Sequence, residues 1–337
     1  MLDKMYSLKE IALIPKSISE INSRKEICPF DKNGRLPIFV APMTCLVNDY
    51  NLYQYTDANV YPIYPVYFNN EQQTNYLMKA GKWVALTLEQ FKNNFCECNA
   101  SKEVSPGWYK VLIDVANGHM LQIYDLVSNA KQKYGDKLIV MIGNIANPET
   151  YIECCNAGVD YVRVGIGGNI NCETGSKTGF HVSLPYLLTH INNLKQSYNQ
   201  TKVIADGGVN TISKAIKCLA LGADYVMMGT MFAKCDGLIK DKETNEYNYG
   251  FNKYYGQASS QGIIDRKGKD FYLSNRYTEG SSSRIVTTYG SVDRFTEEFE
   301  NTLRSAMSYA GAKTLNDFIG RVEYGIQTET EYNSFNK

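Results

Sequence analysis

The sequence predicts a (β/α)8 barrel, in which eight parallel strands alternate with helices. Short apolar, β-branched runs recur between residues 37 and 229, each followed by a turn signal and then a helix-like stretch. The runs are apolar on both faces, as parallel strands covered on both sides are. The G-x-G-x-x-G motif that a Rossmann fold carries after its first strand is absent from that position.

The eight predicted strands are PIFVA (37–41), VYPIYPV (60–66), KWVAL (82–86), KVLIDV (110–115), KLIVMIG (137–143), DYVRVG (160–165), KVIADG (202–207) and DYVMMG (224–229). Amphipathic stretches such as NPETYIECCNAGV and TISKAIKCLALGA lie between them and end in a glycine, which is an expected helix stop. Active sites of such barrels lie in the loops at the carboxyl ends of the strands. Here those loops are DVANGHM, GNIANPE, GIGGNINCETGSKTG, ADGGVN and MGTMFAKC.

The residues after the eighth strand are predicted to belong to the same domain. A polar insertion over 236–252 has a hairpin tip near Glu243, and a flap-like segment continues to about residue 290. The amphipathic stretch VDRFTEEFENTLRSAMSYAG predicts a closing helix. We therefore expect one barrel domain over residues 1–321, with the insertion and flap at about 236–290, and a polar tail over 322–337.

Composition argues against several classes of protein. The 337 residues carry 35 Lys and Arg against 35 Asp and Glu, so bulk charge does not favour nucleic-acid binding. No window approaches about eighteen consecutive apolar residues, and the first ten residues lack the apolar core of a signal peptide. We expect a cytoplasmic protein with no membrane partner. Its nine cysteines lack zinc-site spacing, so most are predicted to be core residues.

The glycine-rich loop over 165–179 carries a candidate nucleophile. Cys172 lies toward its far end, and Thr174 follows two residues later. A thiolate with a hydroxyl nearby to relay a proton suits covalent catalysis. A small residue in a tight loop accounts for the cysteine equally well, and the residues alone leave both interpretations open.

Two further loops predict a phosphate site. Asp206-Gly207-Gly208 follows the seventh predicted strand, and Gly229-Thr230 follows the eighth. Barrels commonly bind phosphate at these two loops, through backbone N–H groups and the N-terminus of a following helix. Asp206 could then accept hydrogen bonds from a ribose diol. The alternative is that Asp206 caps a helix and the glycines only turn the chain.

The ordered motifs IDVANGH, GNI, VGIGGNINCETGSKTG, ADGG, MMGTM, YYGQAS, RYTEGSSS and RSAMSYAGAKTLNDF resemble the IMP dehydrogenase/GMP reductase family, from residue 11 to about residue 321. The D-V-A-N-G form of the fourth loop is similar to the reductases, and contiguous barrel strands leave no room for the small regulatory domains of the dehydrogenases. The resemblance implies an NADPH-dependent oxidoreductase that converts GMP to IMP and ammonia. It also implies a homotetramer.

The resemblance assigns roles to particular residues. It implies that Cys172 forms a covalent adduct at C2 of the purine, while Thr174 and Glu279 handle the protons of the departing amine. The implied substrate-binding residues are Asp206, Gly207, Gly208, Gly229, Thr230, Tyr254, Gly256, Gln257, Ala258, Arg276, Tyr277, Thr278 and Gly280. The implied cofactor-binding residues, some of them facing a neighbouring subunit, are Ser23, Arg24, Asp114, Val115, Ala116, Asn144, Ile166, Gly167, Tyr309 and Gly311. A site for K+ is implied at Gly167, Asn169 and Cys172.

The chain departs from the family pattern in its loops. Gly168-Asn169-Ile170 replaces G-P-G-S, Gln257-Ala258 stands where Met-Ser is usual, and YPIYPVYFNN has no counterpart of the H-K dipeptide. Three alternatives therefore stay open: a paralogue that acts on a different or modified purine nucleotide, an IMP dehydrogenase, and a non-catalytic nucleotide-binding homologue. Retention of Cys172, Thr174 and Glu279 argues against the last.

Overall fold

The computed structural model describes residues 4–67, 70–97, 108–167, 174–240, 244–274 and 284–335, with Thr174 and Phe335 described by their backbone alone. Its strands are β1 (Ile11–Leu13), β2 (Ile38–Val40), β3 (Tyr61–Tyr64), β4 (Trp83–Leu86), β5 (Tyr109–Asp114), β6 (Leu138–Ile145), β7 (Tyr161–Val164), β8 (Lys202–Asp206), β9 (Tyr225–Met228), β10 (Phe251–Tyr254), β11 (Arg284–Thr287) and β12 (Tyr324–Ile326).

Strands β2 to β9 form a closed parallel barrel in chain order, and β9 pairs with β2 to complete it. The predicted (β/α)8 fold is confirmed. Each of the eight predicted strands is present, and each lies within its predicted range or extends it by one or two residues. The apolar runs predicted the strands well because both faces are buried: one face packs inside the barrel and the other against the helices.

The α-helices surround the barrel and extend beyond it. They are α1 (Leu52–Asp57), α2 (Glu71–Lys79), α3 (Leu88–Phe91), α4 (Leu121–Tyr134), α5 (Thr150–Asn156), α6 (Thr174–Thr178), α7 (Leu184–Leu194), α8 (Ile212–Ala220), α9 (Thr230–Ala233), α10 (Ser260–Lys267), α11 (Lys269–Ser274), α12 (Val292–Ala310), α13 (Leu315–Phe318) and α14 (Glu329–Phe335). Short 3-10 turns lie at Arg24–Glu26 and Gly135–Lys137, and a π-helical turn at Lys92–Cys96. Among the described residues, no helix is long and apolar enough to cross a membrane.

Aromatic side chains plug the amino-terminal end of the barrel. The Phe39 ring stacks on Tyr61 at 4.9 Å and meets Tyr225 edge-on at 5.3 Å between ring centroids. The hydroxyls of Tyr61 and Tyr225 both donate to Asp31 Oδ2, at 2.5 and 3.0 Å. Because this end is filled, the interior of the barrel can admit a ligand only at the opposite end, where the strands terminate.

Two small antiparallel sheets lie outside the barrel. Strands β10 and β11 pair within the region predicted as insertion and flap, and Lys240 bridges Tyr247 across the predicted hairpin turn. Strand β12 pairs with β1, and α14 follows it, so residues 324–326 and 329–335 of the predicted polar tail have regular structure. Polar composition did not reveal this pairing, because its partner strand lies near the other end of the chain.

Candidate active site

Polar side chains meet where the strands of the barrel end. Asp114 ends β5, Asn144 lies near the end of β6, and Asp206 ends β8. Arg163, an inner residue of β7, lies between the two carboxylates. Its Nη1 is 2.7 Å from Asp114 Oδ1, and its Nη2 is 2.9 Å from Asp206 Oδ2. The strands thus hold three charged groups in a fixed arrangement at the mouth of the barrel.

The Arg163 guanidinium is buried, with 9% of the residue exposed. Burial alone would lower its pKa, but the carboxylates of Asp206 and Asp114 outweigh that effect and raise the pKa above its usual value. Arg163 therefore stays charged and orients both carboxylates. Arg163 is a basic residue within an apolar strand, and this signal in the sequence could have indicated that it orients the carboxylates.

Removing the Arg163 charge should destabilise the fold. We expect Arg163→Met to lower the free energy of unfolding by about 3–5 kcal/mol, because two buried carboxylates lose their counter-ion. Denaturant unfolding measures the change. Lys313→Met, which removes an exposed ion pair with Glu26 at 3.7 Å, is the control and should leave stability nearly unchanged. A small effect of the Arg163 change would mean that water or rearrangement compensates the carboxylates.

Asp206 is arranged to accept one more hydrogen bond. Its Oδ2 accepts from Arg163 Nε at 3.1 Å, from Arg163 Nη2 and from Asn144 Nδ2 at 2.8 Å. Within the described residues no hydrogen bond reaches Oδ1, which leaves that oxygen for a ligand hydroxyl. The alternative that Asp206 caps the following helix is wrong, because the Thr211 side chain caps α8 by accepting from the Lys214 N–H.

A small pocket lies beside Asp206, between the ends of β8 and β9. Its cavity volume is about 30 Å³, which suits a compact group the size of two or three waters. The backbone at Gly207 and Gly208 has positive φ, +100° and +74°, which favours glycine. The lining residues are Ala41, Asp206, Gly207, Gly208, Val209, Asn210, Met227, Gly229, Thr230 and Tyr254. Six residues of the predicted substrate set therefore share one pocket.

Tyr254 closes one side of this pocket. The residue is fully buried, and its hydroxyl accepts a long hydrogen bond from Thr230 Oγ1 at 3.5 Å. A Cβ atom at position 229 would lie 2.6 Å from the Tyr254 hydroxyl, so only glycine lets the two approach. The hydroxyls of Thr230 and Tyr254 and the backbone of Gly229 are thus brought to one point, as donors for an anion need to be.

The turn at Gly256 and Gln257 is held from several sides. The Ser259 hydroxyl donates to the Gly256 carbonyl at 2.6 Å, and Arg266 Nη2 donates to the Gln257 carbonyl at 2.8 Å. The Gln257 side chain donates through Nε2 to the Pro42 carbonyl. Its Oε1 is buried and has no hydrogen-bond partner in the described part of the chain. This oxygen is an acceptor that an N–H of a bound base could satisfy.

The predicted cofactor residues fall into two groups. The first lies at the mouth, where the Asn144 N–H donates to the Val115 carbonyl at 3.1 Å. Its members are Asp114, Val115, Ala116, Asn144, Ile166 and Gly167. The second consists of Ser23, Arg24, Tyr309 and Gly311, on the face where the N-terminal segment meets the end of α12. No hydrogen bond or ion pair between described residues joins the two groups.

A groove accompanies the second group. Its cavity volume is about 390 Å³, and Ile14, Lys16, Gly311 and Arg321 contribute to its lining. Lys16 donates through its backbone N–H to the Tyr309 carbonyl at 3.0 Å, and the Tyr309 side chain is 64% exposed. No described residue covers this groove, so a second molecule can reach it.

Several predicted site residues lie outside the described residues. These are Asn169, Cys172, Arg276, Tyr277, Thr278, Glu279 and Gly280, together with the side chain of Thr174. Of the residues predicted to hold K+, only Gly167 is described, so the predicted cation site stays a prediction. No group of three or more His, Cys, Asp or Glu side chains that could hold a metal ion occurs in the described ranges.

The fold and the site together define the class of protein: a (β/α)8 barrel whose polar strand ends and glycine loops converge on one mouth. Comparison with known proteins gives the family. Residues 98–334 match the family model described as IMP dehydrogenase / GMP reductase domain. This match covers more than half of the chain, and the chain therefore belongs to the IMP dehydrogenase/GMP reductase family.

Curated relatives agree with this family and with the reductase branch of it. A GMP reductase of Staphylococcus epidermidis is 30% identical over 98% of this chain and 98% of its own length. GMP reductases of Staphylococcus saprophyticus and Mesoplasma florum are 28% and 27% identical, covering 98% and 95% of this chain and 98% and 97% of their own lengths. At this identity the chain is a divergent, GMP reductase-like member.

Proposed function

We propose that the protein is an NADPH-dependent reductase that converts GMP to IMP and ammonia. The observation that carries the proposal is the pocket beside Asp206, which is lined by six of the residues expected to bind ribose and phosphate. Strand ends and glycine loops hold these residues in place before any ligand arrives. The relatives named GMP reductase support the choice of reaction.

The geometry suggests how the nucleotide binds. Its 5′-phosphate enters the pocket and accepts hydrogen bonds from Thr230, Tyr254 and the glycine backbone. Its ribose lies against Asp206, whose Oδ1 accepts from a hydroxyl. The base then reaches the turn at Gln257, where the buried Oε1 accepts from an N–H on its edge. Guanine carries such donors at N1 and at its exocyclic amine.

The proposed chemistry starts at Cys172. Its thiolate adds to C2 of guanine, and a carbon–sulfur bond forms. The exocyclic amine takes up a proton through Thr174 and Glu279 and leaves as ammonia, which leaves C2 bonded to sulfur in a thioimidate. When bound, NADPH supplies the hydride that C2 receives. The carbon–sulfur bond then breaks, and IMP, NADP+ and the thiolate are released.

The cofactor residues fit a site shared between subunits. Asp114, Asn144 and their neighbours lie at the mouth, where the nicotinamide has to meet the base. No hydrogen bond or ion pair between described residues joins the groove at Tyr309 and Gly311 to them, and its exposure suits an adenosine moiety bound at a neighbouring subunit's mouth. This division agrees with the homotetramer that the sequence resemblance implies.

One assay tests the reaction and its alternatives. The protein is incubated with NADPH and a panel of purine nucleotides, and the loss of NADPH absorbance and the release of ammonia are followed together. GMP should give both signals in equal amounts. Ammonia from another purine nucleotide alone would favour a paralogue with a different substrate. NADH formation from IMP and NAD+ would favour a dehydrogenase, and binding of GMP without either signal would favour a non-catalytic homologue.

The 5′-phosphate should contribute much of the binding affinity. Each charge-assisted hydrogen bond in the pocket is worth about 1.5–3 kcal/mol. We therefore expect guanosine to bind at least about 100-fold more weakly than GMP in calorimetry. Thr230→Val and Tyr254→Phe should weaken GMP binding and leave guanosine binding unchanged. Equal affinity for nucleoside and nucleotide would mean that the 5′-phosphate does not bind in this pocket.

A further inference from the structure

Helix α10 carries a cation, Arg266, that holds the Gln257 turn but has been given no ligand to bind. Arg266 is partly buried and donates to two backbone carbonyls, that of Gln257 through Nη2 at 2.8 Å and that of Gly262 through Nε at 3.3 Å. No carboxylate of the described residues lies within ion-pair distance of it. Burial lowers its pKa, and the Asp114 carboxylate opposes that shift.

The charge of Arg266 is therefore only partly compensated. Asp114 acts on it through charge alone, since no hydrogen bond between described residues joins the two and the Asp114 carboxylate is held by Arg163 at 2.7 Å. A guanidinium that has lost part of its water and has no direct counter-ion is energetically costly. Gly262 makes this placement possible, since a Cβ atom there would lie 2.4 Å from the Gly256 carbonyl oxygen and hold α10 away from the turn.

Its contacts place Arg266 over one half of the mouth. The turn at Gln257 lies above the end of β2, where Gln257 contacts Pro42, and Asp114 ends β5. Arg266 is hydrogen-bonded to this turn and feels the charge of Asp114, whereas the pocket beside Asp206 lies at the ends of β8 and β9, with Ala41 after β2 also in its lining. The loop after β3 reads PVYFNN and has no basic residue of its own. The first group of predicted cofactor residues begins on this same side, at Asp114.

We propose that Arg266 binds a phosphate of the dinucleotide cofactor at this half of the mouth. The proposal rests on the proposed function, because it takes the 5′-phosphate of the substrate to occupy the pocket beside Asp206 and its base to reach the Gln257 side chain, which leaves Arg266 for the cofactor. A guanidinium donates two parallel hydrogen bonds to phosphate oxygens. The two backbone carbonyls that Arg266 contacts fix the orientation of its side chain but do not neutralise its charge. The ligand phosphate supplies the counter-ion that the described residues do not.

Binding measurements on three variants test this role. Arg266→Met removes the charge, Arg266→Lys keeps it without the planar fork, and Lys267→Met removes the adjacent cation of the same helix as a control. Dissociation constants for NADPH are measured by fluorescence, and those for GMP by calorimetry. We expect Arg266→Met to weaken NADPH binding by about 10- to 100-fold, Arg266→Lys to weaken it less, and Lys267→Met to have no effect. GMP affinity should change much less than NADPH affinity in the Arg266 variants, because the turn at Gln257 is also held by Ser259 and by the Gln257 side chain, and it should not change in Lys267→Met.

The salt dependence of NADPH binding and the relative losses of GMP and NADPH affinity distinguish the possible roles of Arg266. NADPH binding to Arg266→Met should depend less steeply on ionic strength than binding to the unmodified protein. Equal losses of GMP and NADPH affinity would overturn the proposal and make Arg266 a support for the Gln257 turn. Unchanged NADPH affinity would also overturn it while leaving the proposed function intact. A protein that reduces no purine nucleotide but binds NADPH through Arg266 would overturn the proposed function alone.

Discussion

Cys172→Ala should abolish turnover while GMP still binds. The thiolate is expected to form the bond that holds C2 while ammonia leaves, so its removal takes away the covalent route rather than a binding contact. We expect kcat for GMP to fall by at least about 10⁴-fold, with the dissociation constant for GMP changed by less than about threefold. Steady-state rates with NADPH and calorimetry with GMP measure the two quantities.

The exposed Cys28 provides the matched control for this experiment. It is a free thiol on the surface, and Cys28→Ala should leave kcat unchanged. In the Cys28→Ala background, mass spectrometry of the protein quenched during turnover should find the purine adduct on Cys172. Near-normal kcat in Cys172→Ala would show that no covalent step occurs at this residue.

Much of the fold could be predicted because its signals are local. Each barrel strand is a short apolar run buried on two faces, and a glycine with positive φ follows within two residues of the end of α2, α4, α5 and α8. The alternation of these two signals along the sequence therefore predicts the architecture. The position of the pocket beside Asp206 was also predictable, since barrels commonly bind ligands at their last two loops. Asp206 and Gly229 lie where that rule puts them.

The long-range polar contacts could not be read from the sequence. Arg163 pairs with Asp114 and Asp206, which lie 49 and 43 residues away, and nothing in the local pattern of β7 identifies those partners. Likewise IDRKGKD reads as an ordinary charged helix face. Its contact with the turn at Gln257 depends on how α10 docks, which Gly262 permits and no periodicity predicts.

Glu279→Gln should lower kcat for GMP by roughly 10²–10⁴-fold with little change in GMP affinity. Glutamine keeps the shape and hydrogen bonding of the side chain but cannot take up or deliver a proton, so the step that expels ammonia loses its acid–base group. Glu246, an exposed carboxylate in the insertion, gives the matched control, and Glu246→Gln should change kcat by less than about twofold.

The partial reaction of IMP with NADP+ shows which step the Glu279→Gln substitution affects. IMP and NADP+ should react in a single turnover, because hydride leaves C2 for NADP+ while the Cys172 sulfur bonds to C2, and no ammonia takes part. Glu279→Gln should carry out this hydride transfer at nearly the normal rate, measured as a burst of NADPH absorbance, and fail only in the step with ammonia. If both steps slow equally, Glu279 acts by closing the site over bound ligands, and the proton for the departing amine has to come through another group.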